Sequence, residues 1–169
     1  MGLGNASHFA NNVNYEAQRT NHFEVEISGL TGKSAETIRL STQSVKIPSL
    51  SLEVIELKHG NSTVKVAGAN STEGGDLTVV DAIGADTEKV MYDWYKLGFN
   101  PETSTVGRAV DYKKVARLIQ FSPDGSVKRT WRLEGVFLTS FDPGELSYDG
   151  SDKKVITASM SVDKCIPER

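Results

Sequence analysis

The sequence predicts a mainly β fold, a β-sandwich or partly open barrel of about seven strands with one flanking α-helix at about residues 86–98. Three observations support this class. Apolar and polar residues alternate in most segments that lie between turn residues, which is the pattern of half-buried strands. Two long alternating runs flank a Ser-Pro-Asp-Gly turn. The helical period occurs in one segment alone.

The first half of the chain contains three predicted strands. Apolar residues occupy every second position of "HFEVEISG", which predicts a strand with one buried face. The spacing of Ile38 and Leu40 in "ETIRLSTQSVKI" predicts a second strand on the same ground. The apolar phase of "LSLEVIELK" shifts between Val54 and Ile55, so we expect a bulge or bend in the third strand.

A fourth strand, "GDLTVVDA", precedes the predicted helix. In "ADTEKVMYDWYKLGFNP" the residues Val90, Trp94 and Leu97 stand at positions i, i+4 and i+7, which is the apolar stripe of an amphipathic helix. Asp86 is predicted to be the N-cap, and Gly98 is predicted to end the helix. We expect Trp94 to anchor the helix in the core.

The second half of the chain adds a hairpin and a last strand. "YKKVARLIQFSPDGSVKRTWRLEGVFLTSF" consists of two long strand-like runs around residues 122–125, where Pro, Asp and Gly supply the turn dihedrals. "VITASMSVDKC" places apolar residues at every second position, which predicts a strand with one buried face.

Two segments have little apolar pattern of their own. Residues 1–21 are rich in Asn and Ala and predict a flexible N-terminal arm. Residues 58–76 place Val64-Lys65-Val66 between tracts of Gly, Asn, Ser and Thr. This predicts a protruding loop on a single domain of residues 22–169. A loop of that length is usually functional or disordered.

Composition and motifs argue against catalysis. Lys and Arg total 19 against 22 Asp and Glu, a net charge of -3, which predicts no general attraction to nucleic acid. Cys165 is the only cysteine, and the three histidines lack zinc-site spacing. A Ser-x-x-Lys spacing at residues 161–164 lacks its companion motifs, and the acidic residues of 142–152 lack calcium-loop spacing. We predict a protein that is not an enzyme and has no cofactor or metal.

The first 21 residues lack the basic start and apolar run of a signal peptide. No apolar run approaches the roughly 18 residues of a membrane span. We therefore expect no membrane anchor, and a protein that stays in the cytoplasm that makes it, without export by a signal peptide.

The order of these elements resembles that of the tail tube proteins of contractile-tailed bacteriophages. The resemblance is carried, in chain order, by "FEVEISGL", "KIPSLSLEV", "VKVAG" followed by "GDLTV", the helix with Trp94, the long hairpin, and "PGELSYDGSDKKVITASMSVDK". It covers the chain from Phe23 to Lys164. The tubes of contractile bacteriocins, injection particles and type VI secretion share this fold, so the fold alone does not separate them.

The resemblance implies a structural protein with a β-barrel-like tube domain. Six copies form a ring, and rings stack into a tube within a contractile sheath, through which double-stranded DNA passes without sequence-specific binding. The implied partners are other copies of the chain and the tail sheath, baseplate and tail terminator proteins, and the implied location is the virion tail. Two alternatives remain open at this point: a bacteriocin or secretion-type tube that delivers protein, and a monomeric ligand-binding β-sandwich with residues 58–76 as a lid.

In the resembling family a protruding loop packs on neighbouring subunits, so we expect the arm and the loop to contact other copies. The contact candidates are Asn12, Tyr15, Val64, Lys65, Val66 and Asn70. The lumen candidates are polar positions of the first and last strands, which sixfold symmetry turns into rings of six: Glu24, Glu26, Ser28, Thr157, Ser159, Ser161 and Asp163. We expect a polar lining that is not basic, because Lys and Arg would bind phosphates.

Overall fold

The computed structural model describes residues 17–30 and 33–168, and the fold of this part of the chain is mainly β, as predicted. The helices in it are α1 (Lys33–Ser41), α2 (Thr87–Gly98) and α3 (Ala109–Tyr112). The strands in it are β1 (Phe23–Ser28), β2 (Thr42–Val45), β3 (Leu50–His59), β4 (Ser62–Thr72), β5 (Gly75–Val80), β6 (Phe99–Asn100), β7 (Thr105–Val106), β8 (Lys114–Phe121), β9 (Val127–Asp142), β10 (Val155–Ser161) and β11 (Lys164–Glu168).

Seven strands form one antiparallel sheet in the order β1-β8-β9-β10-β5-β2, with β11 also paired to β9. Strand β9 is shared by two groups of neighbours. Its residues 127–136 pair with β8, and its residues 137–142 pair with β10. Between the two parts, Gly135 has a φ of 68° at a shift in register, which is the geometry of a bulge. The sheet bends there.

The bent sheet encloses one core. The first wall consists of β1, β8, β11 and residues 127–136 of β9, and the second wall consists of β2, β5, β10 and residues 137–142 of β9. Both walls direct apolar side chains into the same core, Val25 and Leu118 from the first and Leu77 and Ile156 from the second. The end strands β1 and β2 lie beside each other around a cleft of about 760 Å³. No ladder joins them in the described part of the chain, so the barrel remains partly open.

Helix α2 lies against β9, as the amphipathic pattern predicts. Met91 and Trp94 are buried, and Tyr92 and Tyr95 contact the Phe141 ring of β9. Asp86 stands at the N-cap, but its φ of 50° is left-handed and its side chain makes no cap hydrogen bond. The prediction that Asp86 caps the helix was therefore wrong about the contact and right about the position.

The first half of the predicted strand "ETIRLSTQSVKI" belongs to helix α1, and the short strand β2 follows it. In a helix, residues two apart point in nearly opposite directions. Accordingly Ile38 is buried in the core whereas Leu40 is 73% exposed. Two apolar positions, Ile38 and Leu40, are too few to distinguish the period of a strand from that of a helix. The short helix α3 was also not predicted.

Residues 58–76 are not a loop with little structure. Strands β3 and β4 pair over their full lengths in a separate two-stranded sheet, and only Gly60 and Asn61 form the turn. We call residues 50–72 the hairpin arm. The expected bulge exists near the predicted position, as a register shift between Leu52 and Val54.

The turn between β8 and β9 is formed as predicted. Gly125 has a φ of 81°, and the Asp124 carboxylate accepts hydrogen bonds from the main-chain N–H and the hydroxyl of Ser126. These hydrogen bonds lower the pKa of Asp124 below its ordinary value. Gln18, near the end of the predicted flexible arm, donates a hydrogen bond from Nε2 to the carbonyl of Phe121 at 2.7 Å. Residues 17–21 therefore run beside this turn.

Candidate assembly surfaces

The hairpin arm is an extension of the second wall. In chain order, β2 of that wall is followed by β3, and β4 is followed by β5 of the same wall. Main-chain hydrogen bonds bridge the junction, from the Lys46 N–H to the Asp76 carbonyl (2.8 Å) and from the Glu73 N–H to the Ser49 carbonyl (2.9 Å). The Ser49 hydroxyl also donates to the Glu73 carboxylate (2.9 Å). The arm is therefore a ribbon that continues the wall beyond the core.

The arm exposes large aliphatic side chains on both faces. Partners in an antiparallel ladder share a face, and so do residues two apart along a strand. One face near the wall therefore carries Leu50, Leu52, Val54 and Ala67, which we call the base patch. The opposite face near the turn carries Ile55, Leu57, Val64 and Val66, which we call the tip patch.

A bulge marks the change of face. Glu53 of β3 stands opposite both Gly68 and Ala69 of β4, so that β4 has one residue more than β3 at this point. A Cβ on Gly68 would stand 3.0 Å from Cγ1 of Ile55 and 3.1 Å from the carbonyl oxygen of Glu53. The small residue thus permits close approach of the two strands where the apolar side switches.

The predicted contact residues are distributed over this arm. Val64 and Val66 belong to the tip patch, and both are exposed. Lys65 lies on the other face, where its Nζ is 3.3 Å from the Glu56 carboxylate. Asn70 stands opposite Leu52, at the edge of the base patch. Asn12 and Tyr15 lie outside the described residues.

The predicted lumen residues fall on two different walls. Glu24, Glu26 and Ser28 point away from the core on β1 of the first wall. Glu24 is held by helix α1, since its Oε1 accepts a hydrogen bond of 2.8 Å from the Arg39 guanidinium. Cross-strand from Glu26 stands Arg117, so this outward face is not purely acidic.

The second wall carries the other set, with Thr157, Ser159 and Ser161 on β10 pointing away from the core. The Ser159 hydroxyl donates to the Asp76 carboxylate at 2.9 Å, and Thr157 pairs with Thr78. The strand segments of this wall contain neither lysine nor arginine. Because the two walls face each other across the core, their outward faces point in opposite directions. The structure does not bring the two sets together on one surface.

Asp163 lies outside both sets, in the connection from β10 to β11. Its carboxylate accepts a hydrogen bond of 2.6 Å from Lys113 Nζ, and it packs against Gly135 at the bulge of β9. The Lys113 ammonium also lies 6.0 Å from the centre of the Phe137 ring. This arrangement gives Asp163 a role in holding the bend of the sheet.

Two groups of exposed residues were not predicted. The first group is the aliphatic residues of β3, whose pattern resembles that of an ordinary strand, although the shift of phase between Val54 and Ile55 indicates a strand without a constant buried side. The second group is an ion-pair network on the outward face of the first wall, in which the Glu168 carboxylate lies 3.6 Å from Arg132 and 3.9 Å from Arg117. Arg132 also contacts Glu134 at 3.1 Å.

Other kinds of site have little support. Within residues 17–30 and 33–168, no group of three His, Cys, Asp or Glu residues is placed to hold a metal ion. No helix of that part of the chain is both long enough and apolar enough to cross a membrane. The surfaces that stand out are therefore the hairpin arm and the outward faces of the two walls.

Comparison with known proteins gives these surfaces a context. The profile of the T4-like virus tail tube protein gp19 family matches residues 19–165. The chain belongs to this family. The family is one of structural tail tube proteins, not of enzymes, as the sequence analysis predicted. A curated member, tail tube protein gp19 of Enterobacteria phage T4, is 24% identical over 137 residues, which cover 80% of this chain and 82% of the T4 protein.

Solved structures share the tail tube fold at low sequence identity. A chain from the sheath-tube complex of PVC, an extracellular contractile injection system, superposes with a TM-score of 0.70 at 18% identity and covers 98% of this chain and 99% of its own. A chain from the sheath/tube terminator of the same system gives 0.70 at 19% identity, over 91% and 98%. The tube terminating cap of the anti-feeding prophage gives 0.69 at 17%, over 90% and 91%. Family membership makes the chain a tail tube protein, and these structures show that components of contractile injection systems have the same fold.

Proposed function

We propose that six copies of this chain close into a ring, that the rings stack into the inner tail tube of a contractile phage tail, and that the tube conducts double-stranded DNA. The observation that carries this proposal is the hairpin arm. It continues the second wall beyond the core and exposes seven large aliphatic side chains. Exposed apolar patches on a soluble protein commonly mark contact sites, and a head-to-tail contact between identical chains can close a ring or grow along an axis.

The proposed tube also implies which proteins bind this chain. The arm and residues 1–21 contact other copies of the chain. Among the structurally similar proteins are components of a sheath-tube complex, a tube terminator and a baseplate. We propose that sheath, terminator and baseplate proteins bind this tube too, in the tail of a virion assembled in the host cytoplasm.

We place the second wall at the bore. It provides four strands, namely β2, β5, β10 and the end of β9. Four strands from each of six copies, spaced by about 4.8 Å and tilted by about 40°, give a backbone diameter of about 48 Å. Side chains of about 5 Å on each side then leave about 38 Å, which admits a DNA duplex.

Charge supports the same choice of wall. The strands of the second wall carry no lysine or arginine, while the outward face of the first wall carries Arg117 and Arg132. Lysines and arginines in a bore would bind phosphates and slow DNA, although the two arginines of the first wall are paired with Glu134 and Glu168. Of the predicted lumen residues, the proposal therefore retains Thr157, Ser159 and Ser161, and it moves the β1 set to the outside of the tube.

The test is electron microscopy of the purified chain, together with its mass in solution. We expect sixfold rings and stacked tubes for the wild type, and no tubes for Leu57→Ser, which removes a tip-patch contact. Leu146→Ser is the matched control because Leu146 is also exposed but lies outside the arm, and it should form tubes normally. A chain that stays monomeric at every concentration would contradict the proposal.

The cargo is tested separately. Particles that contain this chain should carry a DNA-filled capsid, and ejection should release DNA through the tube. A tail without a capsid that releases protein would instead assign the chain to an injection system of the PVC kind.

A further inference from the structure

We propose that the peptide bond between Asp149 and Gly150 is a site of spontaneous isoaspartate formation, and that the fold protects a second such pair, Asp124 and Gly125. The sequence contains these two Asp-Gly pairs, and a serine follows each of them. The reacting residues and the residue after them are therefore the same at both sites. A difference between their rates in the folded protein has to come from the surroundings.

The reaction needs only the side chain, the next peptide nitrogen and water. The main-chain nitrogen of Gly150 loses its proton and attacks Cγ of Asp149, and the new C–N bond closes a succinimide ring. The side-chain hydroxyl leaves with a proton as water. A water molecule then opens the ring. Addition at the side-chain carbonyl restores aspartate, whereas addition at the main-chain carbonyl breaks the original peptide bond and gives isoaspartate, with no net change in mass. Glycine favours the attack because it has no Cβ to obstruct its nitrogen.

The pair at residues 149–150 lies in a connection that leaves these atoms free to react. Residues 143–154 join β9 to β10 without a helix or strand, and residues 142–153 are all exposed. Within residues 17–30 and 33–168, the Asp149 carboxylate takes part in no hydrogen bond or ion pair, and the Gly150 N–H donates no hydrogen bond. Long connections without secondary structure adopt many conformations, including those in which the nitrogen reaches Cγ.

The surroundings of Asp124 oppose the same attack. Its carboxylate accepts hydrogen bonds from the Ser126 N–H at 3.0 Å and from the Ser126 hydroxyl at 2.7 Å. The Gly125 N–H donates to the Ser122 carbonyl at 2.9 Å. The attacking nitrogen and the carboxyl carbon are thus both held by the turn. The hydrogen bonds from Ser126 also lower the pKa of Asp124, so that a smaller fraction of this carboxyl group carries the proton needed for the loss of water.

The product is confined to the connection. Isoaspartate adds one methylene group to the main chain between β9 and Lys154. The Lys154 ammonium lies 3.2 Å from the Asp81 carboxylate and also contacts Glu88, and its carbonyl accepts a hydrogen bond of 3.0 Å from the Asp81 N–H. These contacts hold the start of β10 in place. An aged sample should therefore keep the unfolding midpoint of a fresh one.

Peptide mapping of the aged full-length protein tests the inference. The purified protein is kept at neutral pH for several weeks, and trypsin then places the two pairs on separate peptides, residues 118–128 and 133–153. Fragmentation by electron transfer locates isoaspartate within each peptide. Isoaspartate should accumulate at Asp149 and stay at the level of the fresh sample at Asp124. In concentrated urea both sites should react at similar rates, because the hydrogen bonds at Asp124 are lost.

Gly150→Ala is the matched control. A Cβ on Gly150 would have no neighbour within 4 Å, and the φ of this residue is not left-handed. The variant should therefore fold normally and lose most of the isoaspartate signal at Asp149, because the added methyl group hinders the nitrogen. Persistence of the full signal in this variant would overturn the inference.

Two further outcomes would contradict it. Equal amounts of isoaspartate at Asp149 and Asp124 in the folded protein, or none at either, would show that the fold does not distinguish the two sites. A difference that persists unchanged in urea would assign the effect to the neighbouring residues in the sequence. All of these measurements are made on the protomer, so they are independent of assembly into a tube.

Discussion

The indole Nε1 of Trp94 donates a hydrogen bond to the main-chain carbonyl of Tyr112 at 3.3 Å and thereby connects α2 to α3. Trp94 is 2% exposed, as expected for the helix anchor. Trp94→Ala should lower the free energy of unfolding by about 3 to 5 kcal/mol, because a large buried ring leaves a cavity. Urea denaturation measures this change.

Trp94→Phe is the matched variant, since it retains most of the ring packing and loses the hydrogen bond. Trp94→Phe should lower the free energy of unfolding clearly less than Trp94→Ala does. If Trp94→Ala unfolds at the wild-type urea concentration and only tube assembly fails, Trp94 belongs to an interface between copies and is not a core anchor.

Removal of the hairpin arm should leave the protomer folded. None of the buried core residues lies between residues 50 and 72. Replacing residues 52–70 by Asn-Gly, a turn suited to a two-residue hairpin, should preserve the unfolding midpoint and abolish tube growth. A shortened protein that fails to fold would show that the arm contributes to the core, contrary to its exposure.

Hydrogen exchange of the wild type gives a second view of the arm. An isolated two-stranded hairpin is only marginally stable, so its amides should exchange quickly in freshly diluted protomers and slowly in tubes. Amides of the β8–β9 ladder serve as the internal reference, because they should be protected in both states. Equal protection of the arm before and after assembly would argue against its role in contacts between copies.

The choice of wall for the bore is tested by two matched substitutions. Thr157→Lys and Ser28→Lys each add one positive charge at an exposed strand position, the first on the second wall and the second on the first wall. Sixfold symmetry turns Thr157→Lys into a ring of six lysines in the bore. DNA ejection from such tails should slow, most strongly at low ionic strength. Ser28→Lys should leave the ejection rate unchanged.

The opposite outcome would place the first wall, and not the second, at the bore. Slowed ejection with Ser28→Lys and a normal rate with Thr157→Lys would return Glu24 and Glu26 to the lumen. Ejection rates are compared only for tails of normal length in micrographs, so that an assembly defect is not mistaken for a charge effect.

The bend of the sheet depends on Gly135. Its φ of 68° is unfavourable for other residues, and an added Cβ would overlap the Asp163 carboxylate. Gly135→Ala should therefore destabilise the protein by about 1 to 3 kcal/mol. Gly125→Ala is the control, since its φ of 81° carries the same backbone strain while its surroundings are open. If both variants lose the same amount of stability in thermal unfolding, the contact with Asp163 contributes nothing to the cost of Gly135→Ala.

Burial raises the pKa of the Cys165 thiol above its ordinary value of 9.0. Because the folded chain holds this proton more tightly than the unfolded chain, its contribution to stability is complete below the unfolded pKa and is lost as pH rises through the folded pKa. Alkylation by iodoacetamide at pH 8 should be slow in the folded protein and fast in concentrated urea. Similar rates in both conditions would mean that Cys165 is accessible.

Local sequence patterns were sufficient for elements whose period extends over several turns. Helix α2 was predictable because Val90, Trp94 and Leu97 keep the helical period, although the buried face consists of Thr87, Met91 and Trp94, and Leu97 is 41% exposed. The β8–β9 hairpin was predictable because its turn residues have few other conformations. Helix α1 was not, because only Ile38 reaches the core and a single buried position defines no period. The walls depend on which distant strands β9 pairs with, and no local pattern contains that information.

The exposed apolar surface of the hairpin arm was predictable only in part. Val64 and Val66 stood out because polar tracts surround them. Leu50, Leu52 and Leu57 did not, because an alternating strand has the same pattern whether its apolar side is covered by the protein's own core or by a neighbour. The prediction of contacts therefore needed the observation that β3 and β4 pair only with each other within the described residues.

A ribbon that is apolar on both faces and open along both edges makes the free protomer prone to aggregation. Unpaired strand edges and exposed aliphatic residues allow irregular pairing between any two copies. In the proposed assembly, ordered growth must therefore be faster than this irregular pairing. A low concentration of unassembled chains and a pre-formed tube end for addition both favour ordered growth. The yield of soluble protein should consequently fall as its concentration rises, and shortening the arm should remove that limit.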